Sequence, residues 1–350
     1  MAGCSRKRFA VGSTEEYEET CCLGEGGYGT VIKARHRVTG QFVAIKRLCH
    51  PGQGQPAVMR EKSFLEACSG NPFIVGFHGL VRAPDSMELR LVMEHIGPSL
   101  RDVLLQTADD EPPFPEATVR GIMWQLLTGA KKMHGLHIVH RDIKPENILL
   151  SADDQSVVKI CDFGLALRMS NDAPPYYQVG TGWYMAPEML LGKTDYDALV
   201  DTWSLGCVMA ELIDGCVLFH ALNDEGQLCA IIDVLGVPDA RAWPWLSSTP
   251  FAKELLPQLQ YARRRNGLRK RFPETLLSEQ GFEVLSGLLT WNPDKRLTAS
   301  AALKHPWFAA DLNAPRPAKN KEDLTSTLPK MMDPLIVRPN LHKRQKLQCV

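Results

Sequence analysis

The sequence predicts an α+β fold of two packed units, a small β-rich one with a single helix and a larger, mainly helical one. Three observations support this. The chain has 350 residues, 44% of them hydrophobic, which suits a large core and about two packed units. Between residues 17 and 95, short β-branched runs alternate with turn residues. Beyond residue 100 the apolar residues recur at helical spacing, over stretches too long for strands.

Residues 1 to 16 read as a flexible polar arm. The stretches TVIKARHR and QFVAIKRL then read as strands joined by a hairpin turn at Thr39-Gly40. A Gly/Pro loop, HPGQGQP, precedes AVMREKSFLEAC (57 to 68), a helix on which Val58, Phe64, Leu65 and Cys68 share a face. The two units join near residues 94 to 99. In the second, helices are expected over 116 to 134, 198 to 215 and 281 to 291, the second of them apolar on nearly every side. Residues 309 to 350, rich in Pro, Lys and Asn, read as a flexible tail.

Lysine plus arginine equal aspartate plus glutamate at 40 each, so no bulk attraction to nucleic acid or an anionic membrane is expected. Ten cysteines are scattered without a CxxC pair, as in reduced thiols of the cytosol or nucleus. No apolar leader or bilayer-length run is seen. The expected location is the cytoplasm, the nucleus or both. Basic runs at Arg6 to Arg8 and Lys343 to Lys346 read as solvated charge or as import signals.

LGEGGYGTV (Leu23, Gly24, Glu25, Gly26, Gly27, Tyr28, Gly29, Thr30, Val31) contains GxGxxG. A strand pair follows it, not the helix and acidic residue of a dinucleotide site, and no GK[ST] follows for a P-loop. What remains is a hairpin whose backbone lies over phosphates, since glycine permits close approach. Lys46 ends VAIK. In a strand it shares a face with Ala44, which leaves room for a flat ring beside an ammonium that reaches phosphates. Glu61 is the expected partner of Lys46, with Glu66 as competitor.

HIVHRDIKPENILL (137 to 150) places Arg141, Asp142, Lys144 and Glu146 in an apolar setting. Unpaired charges are costly there, so these groups need partners. Asp142 suits a hydroxyl as acceptor or orienter, Lys144 a phosphoryl group, and Asn147 a Mg²⁺ ion. Asp162, in KICDFG, adds a carboxylate to the metal.

Together with APE (186 to 188), DTWSLG (201 to 206) and DKRLTA (294 to 299), these motifs resemble those of eukaryotic protein kinases over residues 17 to 308. HRDIKPEN resembles the serine/threonine class, and LGEGGYGTVIKARHRVTGQFVAIKRL, PAVMRE and VLGVPDARAWPWL resemble the cyclin-dependent kinases. The resemblance implies the bilobal protein kinase fold, with an N-lobe over about 17 to 95 and a C-lobe over about 98 to 308. It implies ATP and Mg²⁺, protein substrates, and a cyclin at the helix around Arg60 and Glu61. By the same resemblance Met93 is the gatekeeper, Glu94 and Ile96 lend hinge backbone to adenine, and Val31, Ala44 and Leu149 sandwich the ring. Glu188 with Arg296 braces the C-lobe, and Asp201 holds the catalytic loop. Alternatives that stay open are a cyclin-independent kinase-activating kinase and a catalytically weak kinase-fold scaffold.

Two departures from the resemblance stand out. In the activation segment (170 to 188), counting back from Thr181 puts the usual phosphothreonine position on Tyr176. Of the three arginines that grip the phosphate in that family, Arg60 and Arg141 have counterparts, while the third position falls on Leu167, beside Arg168. Phosphorylation of Tyr176 or Tyr177, or activity without loop phosphorylation, are the two expectations. Met185 stands where proline-directed relatives carry arginine, and Gly180 replaces a bulkier apolar residue, which weakens the case for proline direction. Tyr28 resembles an inhibitory phosphotyrosine position, where a phosphate would repel those of ATP.

Overall fold

The computed structural model describes residues 11–26, 29–48, 54–84, 88–106, 113–151, 156–169, 176–239, 241–254 and 266–309. By contact the chain divides into Met1–Asn313 and Ala314–Val350, and every described residue lies in the first unit.

The amino-terminal lobe contains a six-stranded sheet in the order β1-β5-β6-β4-β3-β2. Its strands are β1 (Val11–Ser13), β2 (Tyr17–Gly26), β3 (Gly29–His36), β4 (Phe42–Arg47), β5 (Phe77–Arg82) and β6 (Leu89–Glu94). All pairs are antiparallel except β1 with β5. The expected hairpin at Thr39-Gly40 joins β3 to β4, with Gly40 at φ 72°, a conformation open to glycine without cost. Strand alternation sorts β4 as expected. Val43 and Ile45 join Ala34, Val81 and Val92 in a buried cluster, with Tyr17 packed against it. Ala44 and Lys46 therefore face the other way.

One sequence expectation is corrected here. The arm of residues 1 to 16 is not loose throughout. Val11–Ser13 pairs with Leu80–Arg82, and a 3-10 turn over Thr14–Glu16 is closed by a capping box on Ser13. The backbone donors of this segment are thus spent on the sheet and the cap. Residues 1 to 10 and 310 to 350, with both basic runs and nearly all of the expected tail, lie outside the described residues, as do Gly27 and Tyr28.

Helix α1 (Gly54–Ala67) crosses between β4 and β5. Val58, Leu65 and Cys68 are buried, and Glu61 is buried in phase with them, at steps of three and four residues. After β6, α2 (Leu100–Leu104) starts under a capping box on Ser99, and α3 (Glu116–Gly135) presents Val119, Ile122, Met123, Leu126, Leu127, Ala130 and Met133 to the core. The short pairs β7 (Ile138–Val139) with β10 (Leu167–Arg168) and β8 (Ile148–Leu150) with β9 (Val158–Ile160) carry the loops between them. Then come α4 (Pro187–Leu190), α5 (Leu199–Asp214), α6 (Asp224–Leu235), α7 (Pro250–Glu254), α8 (Leu268–Arg271), α9 (Glu279–Leu288), α10 (Ala299–Ala302) and α11 (Pro306–Ala309).

Helix α5 is buried from Val200 to Ile213, as its all-round apolar sequence predicts, and ends at Gly215 with φ 80°. It packs on α3 and α9, and Gly206 lets α9 approach: a Cβ there would come within 2.8 Å of Leu289. The start of α4 is braced by the expected ion pair. Arg296 Nη1 meets Glu188 Oε1 at 2.6 Å and Nη2 meets Oε2 at 2.8 Å, with the two side chains 0% and 1% exposed. Such a pair is costly to break from one side, because the partner is left charged and dry. Glu188→Ala is expected to lower unfolding free energy by about 3–5 kcal/mol. Urea titration checks this, and a loss under about 1 kcal/mol would contradict the bracing role.

Candidate active site

Lys46 is 3% exposed. Its Nζ lies 2.8 and 2.9 Å from the Glu61 carboxylate oxygens and 2.7 Å from Asp162 Oδ1. The competing Glu66 is engaged elsewhere, 2.6 Å from Lys62 on its own helix. Helical phase separates the two: Glu61 lies in the apolar stripe with Val58 and Leu65, and Glu66 does not. Burial works against the Lys46 ammonium, but Glu61 and Asp162 outweigh it and hold its pKa above the ordinary lysine value. Burial likewise pushes Asp162 up, yet the Lys46 charge and hydrogen bond, with the Gly164 amide, keep it below the ordinary aspartate value.

The catalytic-loop candidates hang from one carboxylate. Asp201, 0% exposed on α5, accepts hydrogen bonds from His140 N and Arg141 N and from His134 Nε2, each at 2.9 Å. The sequence assigned this holding role to Asp201 through the resemblance, and the geometry matches it. Arg141 has φ 69° and Asp162 φ 61°, a left-handed conformation that costs non-glycine residues of order 1–3 kcal/mol each. The bonds around them keep that conformation in place. His140, wholly buried, gives its Nε2 proton to Cys161 O at 2.9 Å and accepts from Asp142 N through Nδ1 at 3.3 Å. One neutral tautomer satisfies both contacts. Phe163 closes edge-on over the His140 ring, centroids 5.1 Å apart.

Asp142 is gripped on both oxygens. Oδ1 accepts from Thr181 Oγ1 at 2.8 Å, while Oδ2 receives Asn147 Nδ2 and Lys144 Nζ, both at 3.0 Å. Lys144 Nζ also donates to Thr181 Oγ1 at 2.7 Å. Thr181 therefore joins the site as a bridge between Asp142 and Lys144. Sequence reasoning used it only as a counting point, and its spacing from APE was the available signal. Because Asn147 spends its amide N–H₂ on Asp142, its carbonyl oxygen is the group left for a cation.

The glycine-rich strand pair is in register at Gly24↔Val31, Glu25↔Thr30 and Gly26↔Gly29, with a bulge at Leu23. A Cβ on Gly24 or Gly26 would meet open space, so among the described residues nothing demands glycine there. Glycine at those points suits a ligand brought close to the backbone. Gly29 is different: at φ 144°, a Cβ would run into the Arg47 carbonyl. Ala44 and Met93 are buried and adjacent in register, while Val31 and Leu149 are half-buried. One hinge expectation narrows. The Glu94 amide donates to Gly76 O at 2.8 Å, and its carboxylate takes Lys159 and Gly76 N. Any backbone group that Glu94 lends to the cleft is thus its carbonyl. Ile96 follows as a buried residue.

Tyr176 is 7% exposed, its ring against Tyr196, whereas Tyr177 is 77% exposed. The packing of Tyr176 means that, of the two tyrosines, Tyr177 is the one open to modification in this conformation. Arg168 Nη1 is turned to Leu136 O at 3.0 Å. Met185 is buried and its Sδ receives Gln178 Nε2 at 3.3 Å. Among the described residues no three His, Cys, Asp or Glu side chains gather at metal-binding distances. Asn147 and Asp162 alone are too few to cage a cation. They suit a hard ion that brings phosphate and water oxygens with it, which is how Mg²⁺ binds nucleotides.

Residues 17–308 match the family described as the protein kinase domain. The chain is 43% identical over 307 residues to cyclin-dependent kinase F-2 of Oryza sativa subsp. japonica, covering 84% of this chain and 90% of that protein. It is 39% identical to cyclin-dependent kinase G1 of Arabidopsis thaliana, covering 86% of this chain but only 50% of that relative's length. Among solved structures, a chain of the yeast RNA Pol II CTD kinase CTDK-1 complex superposes with a TM-score of 0.75 at 27% identity, covering 91% of this chain and 98% of that one.

The depressed carboxylates give a pH prediction. A group whose folded pKa is lowered stabilises the fold above its unfolded pKa and stops doing so as pH falls through the folded value. For Asp201, burial pushes the pKa up, but the hydrogen bonds from His134 and from the His140 amide bring it below the ordinary value. Asp201→Asn should therefore cost roughly 3 kcal/mol at pH 7. The gap to the parent protein should close as pH drops below about 4. Denaturant melts at stepped pH test this, and a gap that widens in acid would contradict it.

Proposed function

Because the chain belongs to the protein kinase family, and within it to the cyclin-dependent type, we propose that it transfers the γ-phosphoryl group of ATP to serine or threonine hydroxyls of proteins. The observation that carries this reading is the convergence of Lys46, Glu61 and Asp162 on one side and Asp142, Lys144 and Asn147 on the other.

Each residue then has a role that its surroundings support. Lys46, kept charged by Glu61 and Asp162, is the point charge for nucleotide phosphates. Asn147 and Asp162 would hold Mg²⁺, which when bound supplies charge neutralisation at the phosphates. Asp142, already hydrogen-bonded to the Thr181 hydroxyl, orients the acceptor hydroxyl and takes its proton. Lys144, 3.0 Å from Asp142, steadies the charge that builds on the transferred group. Leu23 to Val31, Ala44, Glu94, Ile96 and Leu149 form the nucleotide cleft in this reading. All four polar groups that a binding-only scaffold tends to lose, Lys46, Asp142, Asn147 and Asp162, are in place.

A cyclin is the proposed partner, at α1, where Met59 is 46% exposed and Arg60 is exposed beside the buried Glu61. The yeast structure is that of a kinase complex, in keeping with a partner subunit and a protein substrate. A bound partner that favours this position of α1 would act through the Lys46–Glu61 pair. We place the activity in cell-cycle or transcription control, in the cytoplasm, the nucleus or both. The Met185 thioether cannot make the charge-assisted contacts of an arginine, and Gln178 already occupies it.

Asp142→Asn is expected to lower kcat by about 10²–10⁴-fold with MgATP affinity nearly unchanged. Radiometric transfer assays and calorimetry, run with and without candidate cyclins, read the two quantities separately. Undiminished transfer by that variant would remove Asp142 from the mechanism. On a peptide array no strong preference for proline after the target residue is expected, and strong Ser/Thr-Pro selectivity would refute that.

A further inference from the structure

Arg141 is a half-buried cation that, among the described residues, forms no ion pair with a carboxylate. Its guanidinium acts on two neutral acceptors: Nε donates to Leu165 O at 2.8 Å, and Nη1 donates to the Tyr196 hydroxyl at 2.9 Å. That hydroxyl, on a side chain 3% exposed, donates in turn to the Tyr177 carbonyl at 2.9 Å. A phenol that accepts from a cation is a stronger donor, so the two bonds reinforce each other. The chain of contacts runs from the catalytic loop, through Tyr196, to the backbone of the activation segment.

Other contacts of the same stretch agree. Tyr176 N donates to Thr194 O at 2.8 Å, and the Tyr176 ring lies 5.5 Å from that of Tyr196, centroid to centroid. Gly180, at φ 116°, backs so closely on Arg141 that a Cβ would run into the Arg141 carbonyl. Thr181 bonds Asp142 and Lys144. The segment is thus attached to the catalytic loop at Tyr177, Gly180 and Thr181. A phosphate on Tyr176 would bring nearly two negative charges into a buried place.

We propose that Tyr196 is a positioning residue whose hydroxyl, shared between Arg141 and the Tyr177 carbonyl, holds the activation segment in its substrate-accepting form without phosphorylation. This rests on the kinase reading above, and it concerns how the protein substrate is received, not how phosphate moves.

The test uses the full chain, with its cyclin where one copurifies, as wild type and as Tyr196→Phe, which keeps the ring and removes only the hydroxyl. Both are treated with phosphatase, and mass spectrometry verifies residues 176 to 181. Four quantities are read: peptide KM, kcat, MgATP affinity, and amide hydrogen exchange across 176 to 185. The dephosphorylated wild type should keep its peptide KM. Tyr196→Phe should raise peptide KM about five- to tenfold, the range of one ordinary lost hydrogen bond. It should also speed exchange in the segment, leaving kcat and MgATP affinity within about twofold. Wild-type KM and exchange in Tyr196→Phe would overturn the proposal. So would loss of wild-type activity on dephosphorylation of Tyr177, an arm that depends on no variant. A wild type that neither binds MgATP nor transfers phosphate would refute the kinase reading alone, since the exchange comparison still reports on Tyr196.

Discussion

A buried ammonium must be surrounded by anions or give up its proton, and the site is organised around that requirement at Lys46. Its two carboxylate partners come from different places, Glu61 from α1 and Asp162 from the loop after β9. Meeting the electrostatic need of one side chain therefore aligns a helix, a strand and a loop of the other lobe. Asp162 sits in a left-handed conformation that a loop left to itself would avoid, and the Lys46 and Gly164 contacts keep it there.

The other half of the site depends on a buried anion instead. Asp201 enters on α5, buried from Val200 to Ile213, and collects donors from α3 and from the loop that carries Asp142. A carboxylate with three donors is stable where an unpaired one would be ruinous. Its position is as rigid as the helix beneath it. The order in the loop, with His140 on Cys161 and Asn147 on Asp142, follows from that anchor. Catalysis by placed charges needs such rigidity, because a group that must reorganise during transfer loses most of its advantage.

The activation segment shows how far a family pattern can be rewritten while its geometry persists. Tyrosine stands at the position of an expected phosphothreonine and is packed away, and the arginine of the catalytic loop is shared between a carbonyl and a phenol. Hydrogen bonds from one guanidinium to neutral acceptors can replace a phosphate-centred cluster when they are short, shielded and arranged in series. Thr181 belongs to the same set of contacts and extends it to Asp142.

Much of this was readable from the string of residues. Periodicity placed α1, α3, α5 and α9 within a few positions, because apolar spacing reflects which face is buried. The motif residues Lys46, Asp142, Asn147 and Asp162 were named from spacing, and the Lys46–Glu61 pair was preferred over Glu66. Other features depend on groups far apart along the chain. That Val11–Ser13 would find the edge of β5, that Glu94 would spend its amide on Gly76, and that Tyr176 would be buried beside Tyr196 had no local signature. Local pattern states what a residue needs, a dry face, a partner or a cap. Which distant group meets that need is settled only when the chain packs, since a hydrogen bond or ion pair across 19 to 116 positions has no counterpart in the spacing of its neighbours.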